Sequence, residues 1–156
     1  MNYDSVSVTT GAMRIIRSEM RKVIVTETGG ALVGRLDGRT LRVHAACGPG
    51  PRGALSYWTV LVDGNHATKF CNRYYDNTNG RIDYVGDWHC HLGWSLTPSG
   101  RDRQAMETMA PFARLLAQNP VSLIFARWSR RWKAFRYCGR LIEIHHSIED
   151  NDWDLL

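Results

Sequence analysis

Gly86-Asp87-Trp88-His89-Cys90-His91-Leu92-Gly93, continued by Trp94-Ser95-Leu96-Thr97-Pro98-Ser99-Gly100-Arg101-Asp102, sets two histidines one residue apart at the end of an apolar run. Ile82, Tyr84, Val85 and Trp88 make residues 82–88 a strand. Side chains two apart on a strand point the same way, so His89 and His91 face one point where the strand ends. Cys90 between them faces away and reads as a small buried hydrophobe. Residues 94–98 form a loop long enough to turn the chain back. Ser99-Gly100-Arg101-Asp102 then opens a helix and puts Asp102 in its first turn. Two readings of that opening are compatible. Ser99 with an acid three residues on is a capping box. Asp102 is also a third ligand beside His89 and His91. Two imidazoles, one carboxylate and a position left for water are the usual ligand set of a hydrolytic zinc ion. Bound zinc lowers the pKa of its water toward ~7 and so supplies a hydroxide at neutral pH.

Outward from this stretch, the chain alternates strands and helices. Residues 3–9 form a first strand, with Val6 and Val8 facing in and Ser5 and Ser7 out. Met13, Ile16 and Met20 recur at helical spacing over 11–22. Gly29-Gly30 opens the run Ala31-Leu32-Val33, a strand ending near Leu36. Asp37-Gly38 is a hairpin turn signal, and residues 41–47 pair back. Glu27, beside the Gly-Gly pair, is either an exposed turn carboxylate or, given the metal site, a base aimed at its water. The glycines let the backbone pass close to other groups. Gly48-Pro49-Gly50-Pro51-Arg52-Gly53 is a loop. Residues 55–62 read as a strand and 65–77 as a helix carrying Ala67, Phe70, Cys71 and Tyr74. After the histidine strand, residues 103–118 read as one amphipathic helix. Its inner face is Met106, Met109, Phe112, Ala113 and Leu116, and Pro111 kinks it. Residues 121–126, 132–137 and 141–146 are three further strands. The fold class is α/β, a curved mixed sheet with helices on both faces, with one domain over 1–147 and a polar, acidic tail over 148–156.

A chain of 156 residues with 44% hydrophobic content suits one domain with a sizeable core. No apolar run approaches the ~20 residues that cross a bilayer, and the N-terminus lacks a signal-like apolar stretch. The expectation is a cytoplasmic protein without membrane contact. Cys47, Cys71, Cys90 and Cys138 show no paired spacing, which argues against a disulfide framework and a zinc ribbon. The net charge of +5 comes mostly from arginine, which suits carboxylate or phosphate partners. Arg127-Trp128-Ser129-Arg130-Arg131-Trp132-Lys133 mixes basic and aromatic residues, as single-strand nucleic-acid sites do. On a hairpin turn, however, solvated arginine and half-buried tryptophan are ordinary. His44, His66, His145 and His146 lack metal-like neighbours in sequence and read as structural or surface residues.

The string Glu27, then His89-x-His91, seven residues, Ser99, two residues and Asp102 resembles the signature of the JAMM (JAB1/MPN/Mov34) metalloproteases. Residues 27–35 and Gly86-Asp87-Trp88-His89-x-His91 are similar to the prokaryotic JAB branch, including bacterial members encoded beside ubiquitin-like conjugation or antiviral operons. The resemblance covers roughly 5–147. Cys90 stands where many members have Ser or Thr, and Leu92 where most have Pro, which bears on the loop after His91 rather than on the ligands. The resemblance implies an MPN fold and one catalytic Zn2+ on His89, His91 and Asp102. It implies Glu27 as general acid/base and Ser99 as a stabiliser of the oxyanion. The implied reaction is isopeptide or peptide cleavage after the C-terminal tail of a ubiquitin-like protein, with E1-like and E2-like enzymes as associated partners. Such a tail commonly docks as an added strand, with the 92–98 loop and the Gly/Pro loop after Cys47 as walls. Processing of a sulfur-carrier protein, a non-catalytic scaffold and a DNA-associated member of the fold stand as alternatives. The His-x-Glu and Pro-Cys-x-x-Cys pattern of a zinc deaminase is absent.

Overall fold

A computed structural model describes residues 3–55 and 60–150. Strand β1 (Ser5–Thr9) runs straight into helix α1 (Thr10–Lys22). Thr9 caps that helix, its side-chain oxygen accepting the Ala12 N–H. Strands β2 (Thr28–Asp37) and β3 (Thr40–Ala46) form the hairpin signalled by Asp37-Gly38. Two-residue strands β4 (Ala54–Leu55) and β5 (Val60–Leu61) pair antiparallel, so the chain reverses where a single strand over 55–62 was expected. Residues 56–59 of that expected strand lie outside the described residues. Helix α2 (Gly64–Asn77) follows, capped by Asp63. Strand β6 (Asp83–His91) carries both histidines within it rather than beyond its end.

Helix α3 (Gly100–Met109) is shorter than the continuous helix expected over 103–118. Pro111 ends it instead of kinking it, because proline supplies no N–H and its ring clashes with the preceding turn. Two 3-10 turns, Ala110–Phe112 and Arg114–Leu116, take over. The change of pitch rotates Phe112 outward to 60% exposure, away from the inner face assigned to it, while Ala113 and Leu116 stay buried. Strands β7 (Val121–Ala126), β8 (Trp132–Tyr137) and β9 (Leu141–Glu149) complete the chain. Strand β9 runs on past the expected end at 146 to Glu149, and residues 151–156 of the tail lie outside the described residues.

The mixed sheet expected from the element order is present, with the order β1-β3-β2-β6-β7-β8-β9. It closes on itself through a parallel β1–β9 pairing, Ser5 to His145 and Thr9 to Glu149. Closure puts β1 between two parallel neighbours, β3 and β9. Both its edges are paired, and Ser7 is buried rather than exposed as expected. The main core takes Val6, Val8, Leu32, Trp88, Leu123 and Phe125 from the strands and Met13 and Ile16 from α1, with Ala67 and Phe70 of α2 packed against it. Ile124, Ala126 and Phe135 point the other way and pack with Leu96. Tyr137, two residues beyond Phe135, meets Met106 and Ala110 there. Helix α3 thus covers the sheet face opposite α1 and α2, which is the two-sided arrangement expected. Among the described residues no helix is long and apolar enough to cross a membrane.

Candidate metal centre

The core decides which face of β6 bears the histidines. Trp88 and Cys90 are fully buried in the main core, so the alternate residues His89 and His91 must project onto the α3 face. Cys90 points away from them, as expected. Parallel pairing with β7 sets His89 beside Ile124 and His91 beside Ala126, on the face that α3 covers. The indole N–H of Trp88 donates to the Cys47 carbonyl at 2.9 Å and locks this orientation. A β-bulge on β2 and β6, where Leu32 faces Gly86 and Val33 faces Tyr84, adds local twist below the histidines. Only glycine fits at 86, since a Cβ there would lie 1.9 Å from the Val121 carbonyl oxygen.

Asp102 reaches the same point from α3. Its backbone N–H donates to Ser99 Oγ at 3.2 Å, and its Oδ2 accepts the Ser99 N–H at 2.6 Å. This is a complete capping box, and it aims the carboxylate at the histidines. His89 Nε2 lies 2.9 Å from His91 Nε2 and 3.1 Å from Asp102 Oδ1. His91 Nε2 lies 3.2 Å from Asp102 Oδ2. Ligands of a tetrahedral zinc ion stand roughly 3.3 Å apart, given zinc–nitrogen distances of about 2.0–2.1 Å. The three side chains therefore present a near-tetrahedral face of donor atoms. His91 Nδ1 lies 3.1 Å from the Ser95 carbonyl; an N–H donated there leaves the Nε2 lone pair to face a metal. The chemistry of this donor set fits a divalent metal of the zinc type, and it is the one cluster of that kind among the described residues.

The electrostatics agree. Burial pushes the Asp102 carboxyl upward, but hydrogen bonds from His89, His91 and the Ser99 N–H overcome it and hold the carboxyl well below the usual range. Burial likewise depresses His91, and the contact with Asp102 reverses the sign and leaves it raised. Both partners thus report the same close pairing.

Glu27 directly precedes β2. The register Thr28 to Cys90 and Gly29 to His89 brings it alongside His91. A Cβ at Gly30 would sit 1.8 Å from the Cys47 carbonyl oxygen, so β2 can lie this close only with glycine there. Arg127 holds the segment leading in, donating to the Met20 carbonyl at 2.6 Å and the Thr26 carbonyl at 3.2 Å. Partial burial raises the Glu27 carboxyl, and the imidazoles of His91 and His89 only partly offset it. Two clefts meet at Glu27. One, of about 350 Å³, runs past His89 and Asp102 to Asp87 and Ser122. The other passes His91, Ser95, Thr97 and Ser99, so the loop after His91 forms a wall as expected. The Gly/Pro loop after Cys47 lines neither.

Three residues of the site were not singled out in the sequence. Arg101 and Gln104 line both clefts from the first turns of α3. Asp87 lies in the smaller cleft and accepts the Tyr84 hydroxyl at 3.0 Å. Burial pushes its carboxyl up to about 6. Its position two residues before His89 was the available signal, since it shares the histidine face.

Residues 9–136 match the family model described as prokaryotic homologs of the JAB domain. A stretch of 72 residues is 32% identical to "Probable metalloprotease y4qB" of Sinorhizobium fredii (strain NBRC 101917 / NGR234), covering 45% of this chain and 43% of that protein. The chain thus aligns with less than half the length of this curated relative. The solution structure of protein DSY2949 from Desulfitobacterium hafniense superposes with a TM-score of 0.70 at 18% identity, over 94% of each chain, and supports the fold alone. With a family match across most of its length and the sheet and site just described, this chain belongs to the prokaryotic branch of the JAB domain family.

Proposed function

We propose that the protein is a zinc-dependent peptidase that cleaves after the C-terminal tail of a ubiquitin-like protein, from an isopeptide-linked lysine or from a short extension. Membership of the JAB family and the similarity to a probable metalloprotease support a peptidase-like function. The observation that carries the reading is the convergence of Glu27 on the donor set of His89, His91 and Asp102. These segments are far apart in sequence, and a structural carboxylate needs no such placement.

A zinc ion held by His89, His91 and Asp102 would supply a water of lowered pKa and polarise the scissile carbonyl. Glu27 takes the proton of the attacking water and returns it to the leaving amine. Its raised carboxyl pKa suits both halves of that transfer. Ser99 uses its oxygen to accept the Asp102 N–H, and its own proton is left to donate to the developing oxyanion. Fixed carbonyls and N–H groups orient the ligand side chains, so little reorganisation is needed during reaction. The cellular partners are then a ubiquitin-like protein, its conjugates and the E1-like and E2-like enzymes that make them. A non-catalytic scaffold has no use for a complete donor set beside a half-buried glutamate.

Glu27→Gln and Glu27→Ala test the assignment on a fluorogenic Gly-Gly amide. Each should retain stoichiometric zinc and lose at least about a hundredfold in kcat/KM, the scale of general acid–base catalysis. A zinc-loaded Glu27→Ala protein that still cuts would refute the assigned base.

A further inference from the structure

A third cleft, of about 550 Å³, lies on the α1 side of the sheet, at the end where β6 and β7 finish, and is used by none of the steps above. One wall is α1 and the segment after it, with Arg17, Arg21 and Ile24. The other is the β7–β8 turn, with Trp128, Arg130 and Arg131. All six are exposed. Arg17, Arg21, Arg130 and Arg131 form no ion pair with any described carboxylate, and no acidic residue lines the cleft. Arg127 at its base is committed to the Met20 and Thr26 carbonyls and serves as a clip between the walls.

An uncompensated cluster of this sign attracts carboxylate or phosphate groups. Ile24 at 68% exposure and Trp128 at 57% add apolar surface, which small anions do not need. The position of the cleft decides between macromolecules. Ile24 stands three residues before Glu27. The Arg127 N–H donates to the His91 carbonyl at 3.2 Å, which fixes the turn to the histidine strand. Both walls therefore run directly into the elements that bear the catalytic groups. A polypeptide that leaves the metal centre around this end of the sheet reaches the cleft.

We propose that the cleft docks an acidic stretch of the protein substrate, carboxylates on the four arginines and an apolar side chain between Ile24 and Trp128. The proposal rests on the peptidase reading and adds a charge requirement to it. It makes substrate choice depend on a surface outside the reacting atoms, and therefore sensitive to salt.

Binding and cleavage are measured separately. The binding probe is a fluorescein-labelled peptide in which glutamates alternate with leucines, followed by fluorescence anisotropy with the zinc-loaded protein. Its control has glutamine at every glutamate. The acidic peptide should bind, and the control should bind at least about tenfold more weakly, as should the acidic peptide to R130E/R131E or on going from about 50 to about 300 mM salt. The cleavage probe is a Gly-Gly amide carrying the same acidic or glutamine stretch, and the acidic version should show the higher kcat/KM. Equal binding of both peptides, or binding indifferent to R130E/R131E, overturns the docking site whatever the cleavage result. Acidic-peptide binding with no cleavage of either probe keeps the acidic docking site and counts against the peptidase reading alone. Oligo-dT that binds more tightly than the acidic peptide, and is lost in R130E/R131E, overturns the proposal in favour of a nucleic-acid partner.

Discussion

Replacing Ser99 separates a structural role from a chemical one, because the structure shows the side chain engaged on one side only. Its oxygen accepts the Asp102 N–H at 3.2 Å, while the reciprocal bond from the Ser99 N–H to Asp102 Oδ2 at 2.6 Å is backbone-borne and survives substitution. Ser99→Ala therefore removes half of the capping box. The expected cost is about 1 kcal/mol, typical of a lost N-cap, or about 2–4 °C in Tm for a domain of this size. With an ordinary stability of at least about 5 kcal/mol, a loss of that size leaves nearly all molecules folded, so it cannot by itself reduce activity. Loss of an oxyanion donor, by contrast, costs about 10²–10³ in kcat. Ser99→Gly supplies the control, since glycine at an N-cap costs only a few tenths of a kcal/mol but carries no side-chain donor. Urea unfolding, zinc content by mass spectrometry and cleavage of a fluorogenic Gly-Gly amide are measured on all three proteins. Ser99→Ala should lose stability and activity, and Ser99→Gly activity with little loss of stability, with zinc unchanged in both. Activity within about threefold of the parent in Ser99→Gly would refute the oxyanion assignment. A loss that follows zinc content would instead assign Ser99 to holding Asp102.

His91 is raised by its contact with Asp102, so in the metal-free protein the charged pair stabilises the fold fully below the unfolded histidine value of about 6.5 and fades as pH rises through the higher folded value. Zinc needs the neutral ring, so its affinity, read by chelator competition, should rise about tenfold per pH unit below that folded value and then level off. Burial first, and Arg35 second, lower His44 to about 4. A lowered histidine gives stability that is present above the unfolded value and lost as pH falls toward 4, with a ceiling of about 3 kcal/mol, discounted to about 1–2 kcal/mol for its partial exposure. Urea unfolding between pH 7 and 5 should show this slope, and His44→Gln should flatten it. Gly30→Ala would drive a methyl into the Cys47 carbonyl, at 1.8 Å, and toward the Trp88 indole nitrogen, at 2.9 Å. The expected loss is about 3 kcal/mol or more, and a variant as stable as the parent would show that β2 and Cys47 are not so close.

What could be read from the sequence was what short-range periodicity carries. The alternation through Trp88, His89, Cys90 and His91 fixes two faces within four residues, and the Ser99–Asp102 spacing fixes both a cap and the carboxylate that meets the histidines. The features that went unread depend on partners distant in the chain. Closure through β1 and β9 is a choice of register between residues 5–9 and 145–149, and nothing local in Ser7 announces that both edges of its strand are paired. Pro111 carried a local signal whose outcome was a matter of degree, and the chain took the break, carrying Phe112 out of the core. Asp87 could have been found by extending the same alternation one step back.

The placement of Glu27 shows how these two kinds of information combine. Glu27 lies outside the strands, and only the β2–β6 register brings it to His91. A slip of one residue in that pairing would send every side chain of a strand to its other face. Trp88 and Cys90 would then leave the core and the histidines would enter it, two imidazoles buried without partners at a cost of several kcal/mol. The Trp88 hydrogen bond to the Cys47 carbonyl would break as well. The register that aligns the Glu27 carboxylate with His91 is therefore enforced by apolar burial on the opposite face of the same strand. It follows that substitutions at Trp88 or Cys90, which touch no ligand atom, should perturb the metal centre more than substitutions in the exposed loop beside it.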